Sequence, residues 1–170
     1  MKIFIYPIYA IASLIITICA YLFAPIICLF VKKDGTLLLS WFGTSDNLAT
    51  GDPSFWPQQH PSYSKYQLAV TWMWRNPAQG FDQLLTAKVT MQSPCKVYGN
   101  INIGDTIGVK GWYLITCNGY FYFSYVYPIG FGRCIEGGIG WRLNNIVKGY
   151  EHPTMGQLAV TPFRFFRFGK

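Results

Sequence analysis

The residue types that most often carry out catalysis are few in this chain and are not spaced for it. Its 170 residues contain two histidines, His60 and His152, each followed by a proline. A nucleophilic cysteine needs a base such as imidazole close by, and nothing in the spacing brings either histidine to a cysteine. The glycine-rich stretch 137–140 lacks the Lys-Ser or Lys-Thr pair of a phosphate-binding loop. We therefore expect no enzyme activity and no cofactor.

Candidate metal ligands also lack the spacing of a known site. Asp46, Asn47 and Asp52 share a loop, but no acidic residue closes it as in an EF-hand, so we interpret them as turn and cap residues. The cysteines show no C-x-x-C or Cys/His spacing, and three of them follow the apolar N-terminus, an odd number that does not suggest a disulfide framework. We expect no metal site, and free thiols in a reducing compartment. The cysteines are Cys19, Cys28, Cys95, Cys117 and Cys134.

The chain is basic, with 14 Lys and Arg against 7 Asp and Glu and a net charge of +7. Such an excess suits anionic lipid headgroups or nucleic acid. No helix-turn-helix or RNA-binding signature accompanies it, so we expect no sequence-specific nucleic-acid binding. The basic residues are dispersed except in the tail, where Arg164, Arg167 and Lys170 lie close together.

The same tail is rich in phenylalanine. Rings that insert into a bilayer and guanidinium groups that meet phosphate would suit an anionic membrane surface. An ordinary edge strand suits the pattern equally well, and both interpretations are open. The segment consists of Phe163, Arg164, Phe165, Phe166, Arg167 and Phe168.

The most informative segment is the N-terminus. Hydrophobic residues make up 51% of the chain and charged residues 12%, and residues 3–31 contain no charged side chain at all. A bilayer core about 30 Å thick needs roughly 20 apolar residues of helix. The run is longer than the apolar region of a signal peptide, and residue 2 is the only lysine before it. We expect residues 1–31 to be a membrane anchor whose partner is the lipid bilayer.

Two prolines and two lysines bear on how this anchor sits. Pro7 suits a first helical turn, whereas Pro25 is expected to kink the helix or end it early, which leaves a re-entrant insertion open beside a full span. Lys32 and Lys33 follow the run directly, with one lysine before it. The positive-inside rule then favours a cytoplasmic C-terminal domain.

Residues 32–90 are expected to form an irregular linker that contains one short helix. Trp41 and Phe42 suit a membrane interface, and residues 43–61 hold turns without periodicity. Residues 64–74 have apolar side chains at helical spacing with Ser62 or Ser64 as the cap. The helix should stop before the Arg75-Asn76-Pro77 sequence.

Within that stretch, Trp72 and Trp74 cannot share one helix face. Arg75, Asn76 and Pro77 follow them directly. We interpret this cluster as structural, because tryptophans of a small domain more often lie in a core than around a ligand.

Residues 91–145 change to strand character. Two β-rich runs, 111–117 and 120–127, flank Asn118 and Gly119, and Asn-Gly is the strongest short hairpin signal. A turn at 128–130 and a further hairpin at 137–138 would complete a meander of about four strands. The fold class expected is α+β: an N-terminal transmembrane or membrane-inserted helix, then a small antiparallel β-meander domain with one short amphipathic helix, and a basic, aromatic tail at 146–170.

Several stretches together resemble a family of small membrane proteins of tailed bacteriophages that carries no assigned activity. They are the apolar N-terminus, WFGTSDN at 41–47, WMWRNPAQGF at 72–81 and the segment from Gly111 to GWRL at 140–143. The W-x-W-R-N-P-x-x-G-F element is the most specific, and the tail at 144–170 falls outside the resemblance.

The resemblance implies a phage-encoded protein, with other phage or host envelope proteins as candidate partners. One hypothesis is a non-catalytic protein of the bacterial host inner membrane, acting in superinfection exclusion, lysis control or host takeover. The alternative is a minor virion component used in particle assembly or DNA delivery.

Overall fold

The structure is a computed structural model that describes residues 2–44, 47–149 and 155–169. The chain divides into two compact units. Residues 11–85 form the helical unit, and residues 1–10 together with 86–170 form the sheet unit. The α+β fold class predicted from the sequence is confirmed: a long apolar helix precedes a five-stranded antiparallel sheet, with short helices besides.

The apolar N-terminus is helical almost throughout. A 3-10 turn, Lys2–Phe4, leads into α1 (Tyr6–Ile27), and a second 3-10 turn covers Cys28–Phe30. Pro7 lies in the first turn as predicted. Pro25 does not end the helix before it: α1 continues two residues further.

The helix tolerates Pro25 because the carbonyl that the proline cannot bond has another partner. Proline lacks an N–H, so the carbonyl of residue i−4, here Tyr21, is freed. The indole Nε1 of Trp74 donates to that carbonyl over 3.2 Å. The Pro25 carbonyl in turn accepts from the Tyr66 hydroxyl at 2.9 Å.

Both donors come from α3 (Lys65–Arg75), the predicted amphipathic helix. Ser64 caps it in a capping box, in which the serine hydroxyl accepts from the Gln67 N–H and the Gln67 side chain accepts from the Ser64 N–H. A reciprocal cap of this kind satisfies two otherwise unpaired helix donors. It fixes the start of the helix at the second of the two predicted serines.

The core of the helical unit forms between α1 and α3. Small residues, Ala20 and Ala24 on α1 and Ala69 on α3, are almost fully buried together with Val70 and Met73. Residues of the segment between the two helices, Leu37, Phe42 and Ala49, belong to the same core.

The predicted linker contains more structure than expected. A turn at 32–35 is closed by the Gly35 N–H donating to the Lys32 carbonyl at 3.0 Å. Two further helices, α2 (Trp56–Gln59) and α4 (Gln79–Leu84), and a 3-10 turn at Ser40–Phe42 follow. Asp52 is the turn residue predicted, since its Oδ1 accepts from the backbone N–H of Ser54 at 2.9 Å. Asp46 lies outside the described residues.

The sheet is an antiparallel meander in the order β1-β2-β3-β4-β5. Its strands are β1 (Cys95–Gly99), β2 (Gly111–Cys117), β3 (Tyr120–Gly130), β4 (Arg133–Trp141) and β5 (Leu158–Arg167), with α5 (Asn144–Lys148) before the last. Asn118 and Gly119 join β2 to β3 with φ of 50° and 82°, which confirms the predicted tight turn.

The predicted turn at 128–130 and the predicted hairpin at 137–138 are both wrong. β3 runs through Pro128 to Gly130, and Gly137 and Gly138 lie inside β4. The chain turns at Phe131 and Gly132 instead, with φ of 52° and 64°, and both central residues of a type I′ turn need positive φ.

The cysteines are a further correction. Cys95 and Cys117 were predicted to be free thiols but form a disulfide between β1 and β2. The two residues are direct cross-strand partners with Cα atoms 4.4 Å apart, within the range that a disulfide spans. Cys19, Cys28 and Cys134 are free.

Candidate functional site: a membrane-facing surface and a polar cavity

One helical segment of the described residues, Lys2–Phe30, is long and apolar enough to cross a membrane, with 29 residues and a mean hydropathy of 2.4. Its exposed side is a continuous apolar stripe. The stripe covers about 27 Å of helix at 1.5 Å per residue, close to the thickness of a bilayer core. It contains Ile8, Ile11, Ile15, Ile18, Leu22 and Ile26, each about half to two-thirds exposed.

The opposite side of α1 is covered by protein. Ser13, Ala20, Ala24 and Ile27 are buried, and the last three belong to the core that α1 shares with α3. One side of the helix therefore contacts polypeptide, while the other presents apolar side chains that water solvates poorly.

The residues predicted to contact a membrane after the apolar run differ in their exposure to solvent. Lys32, Lys33 and Trp41 are exposed, as an interface position requires. Phe42 is buried in the core of the helical unit, so its prediction as an interface residue is wrong. It ends the 3-10 turn Ser40–Phe42, in which Ser40 and Trp41 are exposed and Phe42 alone is buried.

The W-x-W-R-N-P element forms a structural cluster, as predicted. Trp72 is 8% exposed and Trp74 is 42% exposed, on different faces of α3. The Arg75 guanidinium lies 5.0 to 5.2 Å from the ring centroids of Phe55, Trp56 and Trp72, a cation–π arrangement. Asn76 closes the helix, because its Nδ2 donates to the Trp72 carbonyl, and the helix ends before Pro77.

The sheet has two faces of different character. We call one the aromatic face: it carries Trp112, Phe123, Tyr125, Tyr127, Phe163 and Phe165, which share one side by the strand register. Tyr6, from the first turn of α1, packs on the same face against Phe121 and Trp141, with ring centroids 5.1 and 5.6 Å apart. The start of the apolar helix therefore belongs to the aromatic side of the sheet.

The predicted tail segment forms β5, the edge strand. Phe163 and Phe165 are 62% and 59% exposed on the aromatic face, so they do not face a core. Arg164 lies on the other face, where it forms an ion pair with Glu136 and covers the Phe166 ring at 4.2 Å. Arg167 is exposed and lies directly opposite Arg133 of β4. Phe168 follows the strand and is half-buried.

The face opposite the aromatic one carries the more deeply buried side chains, such as Ile115 and Val126, and holds a cavity of about 260 Å³ with a mainly polar lining. Its lining includes Tyr113, Tyr122, Glu136, Arg142 and Arg164. Sequence reasoning missed this cavity. Residues from β2 to β5 meet there only through the strand register, and the single local signal was the alternation of polar and aromatic residues along the strands.

Groups suited to nucleophilic chemistry lie in packed surroundings. Burial raises the pKa of the Cys134 thiol, which disfavours the reactive thiolate. The His60 ring stacks on Tyr63 at 4.7 Å between ring centroids and also contacts Trp56 at 4.3 Å. His152 lies outside the described residues. Among the described residues, no group of three or more His, Cys, Asp or Glu could hold a metal ion.

Comparison with known proteins gives a family and nothing more detailed. No curated protein and no solved structure matches the chain. The model of a family of unknown function matches residues 1–167, nearly the full length. The chain therefore belongs to DUF7338, a family of unknown function.

Proposed function

We propose that this protein is a non-catalytic, monotopic membrane protein: α1 is embedded in one leaflet and holds the sheet at the bilayer surface. The observation that carries the proposal is the apolar stripe of α1, which is exposed along the helix while the other side packs on protein. A helix covered on one side only suits a position along the interface, with its apolar side in the acyl chains.

The course of the chain supports insertion without a net crossing. Residues 1–10 and 86–170 belong to one compact unit, and the backbone N–H of Lys2 donates to the Gly119 carbonyl at 3.2 Å. These contacts support a path in which the chain between them leaves and returns on the same side, with an even number of crossings.

A second crossing segment is not found in the described residues. Only Lys2–Phe30 is long and apolar enough. The next longest helix, α3, has 11 residues with a charged residue at each end, or about 17 Å of helix against roughly 30 Å of bilayer core. An even number of crossings then means none.

This topology also bears on orientation. The positive-inside rule compares loops on two sides of a membrane, so Lys32 and Lys33 carry no orientation signal if both ends of α1 lie on one side. The Cys95–Cys117 disulfide favours an oxidising compartment for the sheet. We therefore propose the non-cytoplasmic face, opposite to the side predicted from the lysines.

Side-specific labelling tests the topology. Lys2→Cys lies just before α1 and Lys33→Cys just after it, and both positions are exposed. In sealed membrane vesicles, an impermeant maleimide should label both variants from the same side, with the wild type as the background. Labelling from opposite sides would establish a single-pass protein and remove the monotopic proposal.

The biological setting that we propose is the envelope of a phage-infected bacterium, on the strength of the resemblance in the 41–47, 72–81 and 111–143 segments alone. The role would be superinfection exclusion, lysis control or host takeover. Mass spectrometry of infected-cell membranes and of purified particles tests it. Recovery only in particles would favour the alternative of a minor virion component.

A further inference from the structure

The polar cavity of the sheet contains a cation without a counter-charge. Among the described residues, Arg142 has no ion-pair or hydrogen-bond partner for its side chain, and its Nε atom is buried. The second arginine of the lining, Arg164, is neutralised by Glu136. Burying an unpaired charged donor is costly, so an acceptor from outside the protein would relieve the cost.

Neutral hydroxyl groups surround this cation. Tyr113, Tyr122 and Ser124 line the same cavity. Burial, and then the proximity of Tyr122, raises the pKa of Tyr113 well above its ordinary value. Its hydroxyl keeps its proton and forms hydrogen bonds with the Tyr122 and Ser124 hydroxyls, so the three groups form one neutral cluster.

The absence of a side chain at Gly138 positions one of these hydroxyls. A Cβ there would lie 2.6 Å from the Tyr122 hydroxyl oxygen, too close for any real contact. The glycine therefore lets the Tyr122 ring lie flat on the sheet, with its hydroxyl in the cavity.

The carboxylates of the lining lie away from Arg142. Glu136 is bound to Arg164. The Asp105 carbonyl accepts from the Gly169 N–H, next to the start of β4, whereas Arg142 follows the end of β4. Arg142 is therefore the charged group at the end of the cavity away from Asp105.

We propose that this end of the cavity binds a small oxyanion, the carboxylate or phosphate group of a soluble molecule, with Arg142 as the charged anchor. A guanidinium group pairs with planar carboxylate or phosphate oxygens through parallel N–H donors. The site lies on the face of the sheet opposite Tyr6. The proposal does not depend on the membrane topology.

Titration of the full-length protein in detergent tests the site. Inorganic phosphate and acetate, each against chloride at equal ionic strength, should raise the melting temperature with saturation. Whichever of the two binds more tightly identifies the oxyanion. Arg142→Gln should weaken binding at least about tenfold, as for loss of a charged hydrogen bond. Lys148→Gln removes an exposed positive charge nearby in sequence and should bind as the wild type does.

If Arg142→Gln folds poorly, NMR spectroscopy of the wild-type protein tests the site directly. In wild-type protein with labelled arginine, the Arg142 Nε–H resonance should shift with the binding isotherm, and Tyr122→Phe should weaken that shift. An equal rise in melting temperature for Arg142→Gln, or an unmoved Nε–H resonance, overturns the proposal. In that event an internal acceptor satisfies Arg142. A candidate is the side-chain oxygen of Gln157, which is buried without a partner among the described residues and whose backbone carbonyl accepts from the Arg142 N–H.

Discussion

At the scale of single residues, Gly119 isolates one physical effect. Its φ of 82° lies in the left-handed region, and the nearest atom to a Cβ placed there would be the Lys2 nitrogen at 3.8 Å. A Cβ there therefore meets no clash, and the main cost of substitution comes from the backbone conformation. A substitution of Gly119 therefore measures conformational strain without steric clash, whereas most glycine substitutions combine the two effects.

We expect Gly119→Val to lower the free energy of unfolding by at least about 1 kcal/mol, because a β-branched residue is strained at positive φ. Gly119→Asn is the matched control and should cost less, since asparagine tolerates the left-handed region. Chemical denaturation in detergent measures both. Equal losses for the two variants would show that the turn does not impose this conformation.

The residue scale also shows what sequence can reveal. The Asn118-Gly119 turn was predictable because its signal is local: two adjacent residues specify a turn type. The Cys95–Cys117 disulfide was not, because the partners are 22 residues apart and meet only through the register of β1 and β2. The Arg142 site was missed for the same reason.

At the scale of elements, prediction succeeded where one segment supplies its own stabilising contacts. The helix at 65–75 was found from its apolar spacing and its serine cap. The continuation of α1 past Pro25 was not predictable from the sequence. It depends on a hydrogen bond from the Trp74 indole to the Tyr21 carbonyl, and these two residues are 53 positions apart. Likewise, β4 passes through Gly137 and Gly138 because pairing with β3 and β5 outweighs the local turn propensity.

The structure of the edge strand β5 indicates which residues in and beside the tail are suited to contact a membrane. Arg164 is engaged by Glu136 and is poorly available to lipid. Arg133 and Arg167 lie side by side across β4 and β5, a like-charge pair that is unfavourable without a counter-ion. Arg133 and Arg167 lie on the same face of the sheet as Phe163 and Phe165, next to the fully exposed Phe131. This end of the aromatic face is therefore the part suited to an anionic lipid surface.

We expect Arg133→Gln combined with Arg167→Gln to weaken binding of the full-length protein to anionic vesicles by about 2 kcal/mol, at about 1 kcal/mol per arginine. Binding to zwitterionic vesicles should not change. The matched control, Lys88→Gln with Lys148→Gln, also removes two exposed positive charges. Affinity measured at low and high salt separates the cases. If Arg164→Ala has the larger effect on binding, without loss of stability, the lipid contact is on the other face.

At the scale of the whole molecule, the question is what covers the apolar stripe of α1. A soluble protein would leave about half of a 22-residue apolar helix exposed to water, and surfaces of that kind mark membrane or protein interfaces. The rest of the molecule leaves that side uncovered but packs small residues tightly against the other. Lipid is the partner that requires no complementary shape.

Ile15→Arg tests lipid as that partner. Ile15 lies midway along the exposed stripe, whereas its neighbour Ile16 packs on the core of the helical unit, so only the first position reports on lipid contact. A charge at the centre of a bilayer costs roughly 2.5–3.5 kcal/mol, and less if a helix near the interface lets the arginine reach water. We expect the variant to appear in the soluble or aggregated fraction after carbonate extraction, while Ile15→Leu stays in the membrane. If Ile15→Arg is retained as firmly as the wild type, the stripe is covered by protein, and the embedded-helix proposal is wrong.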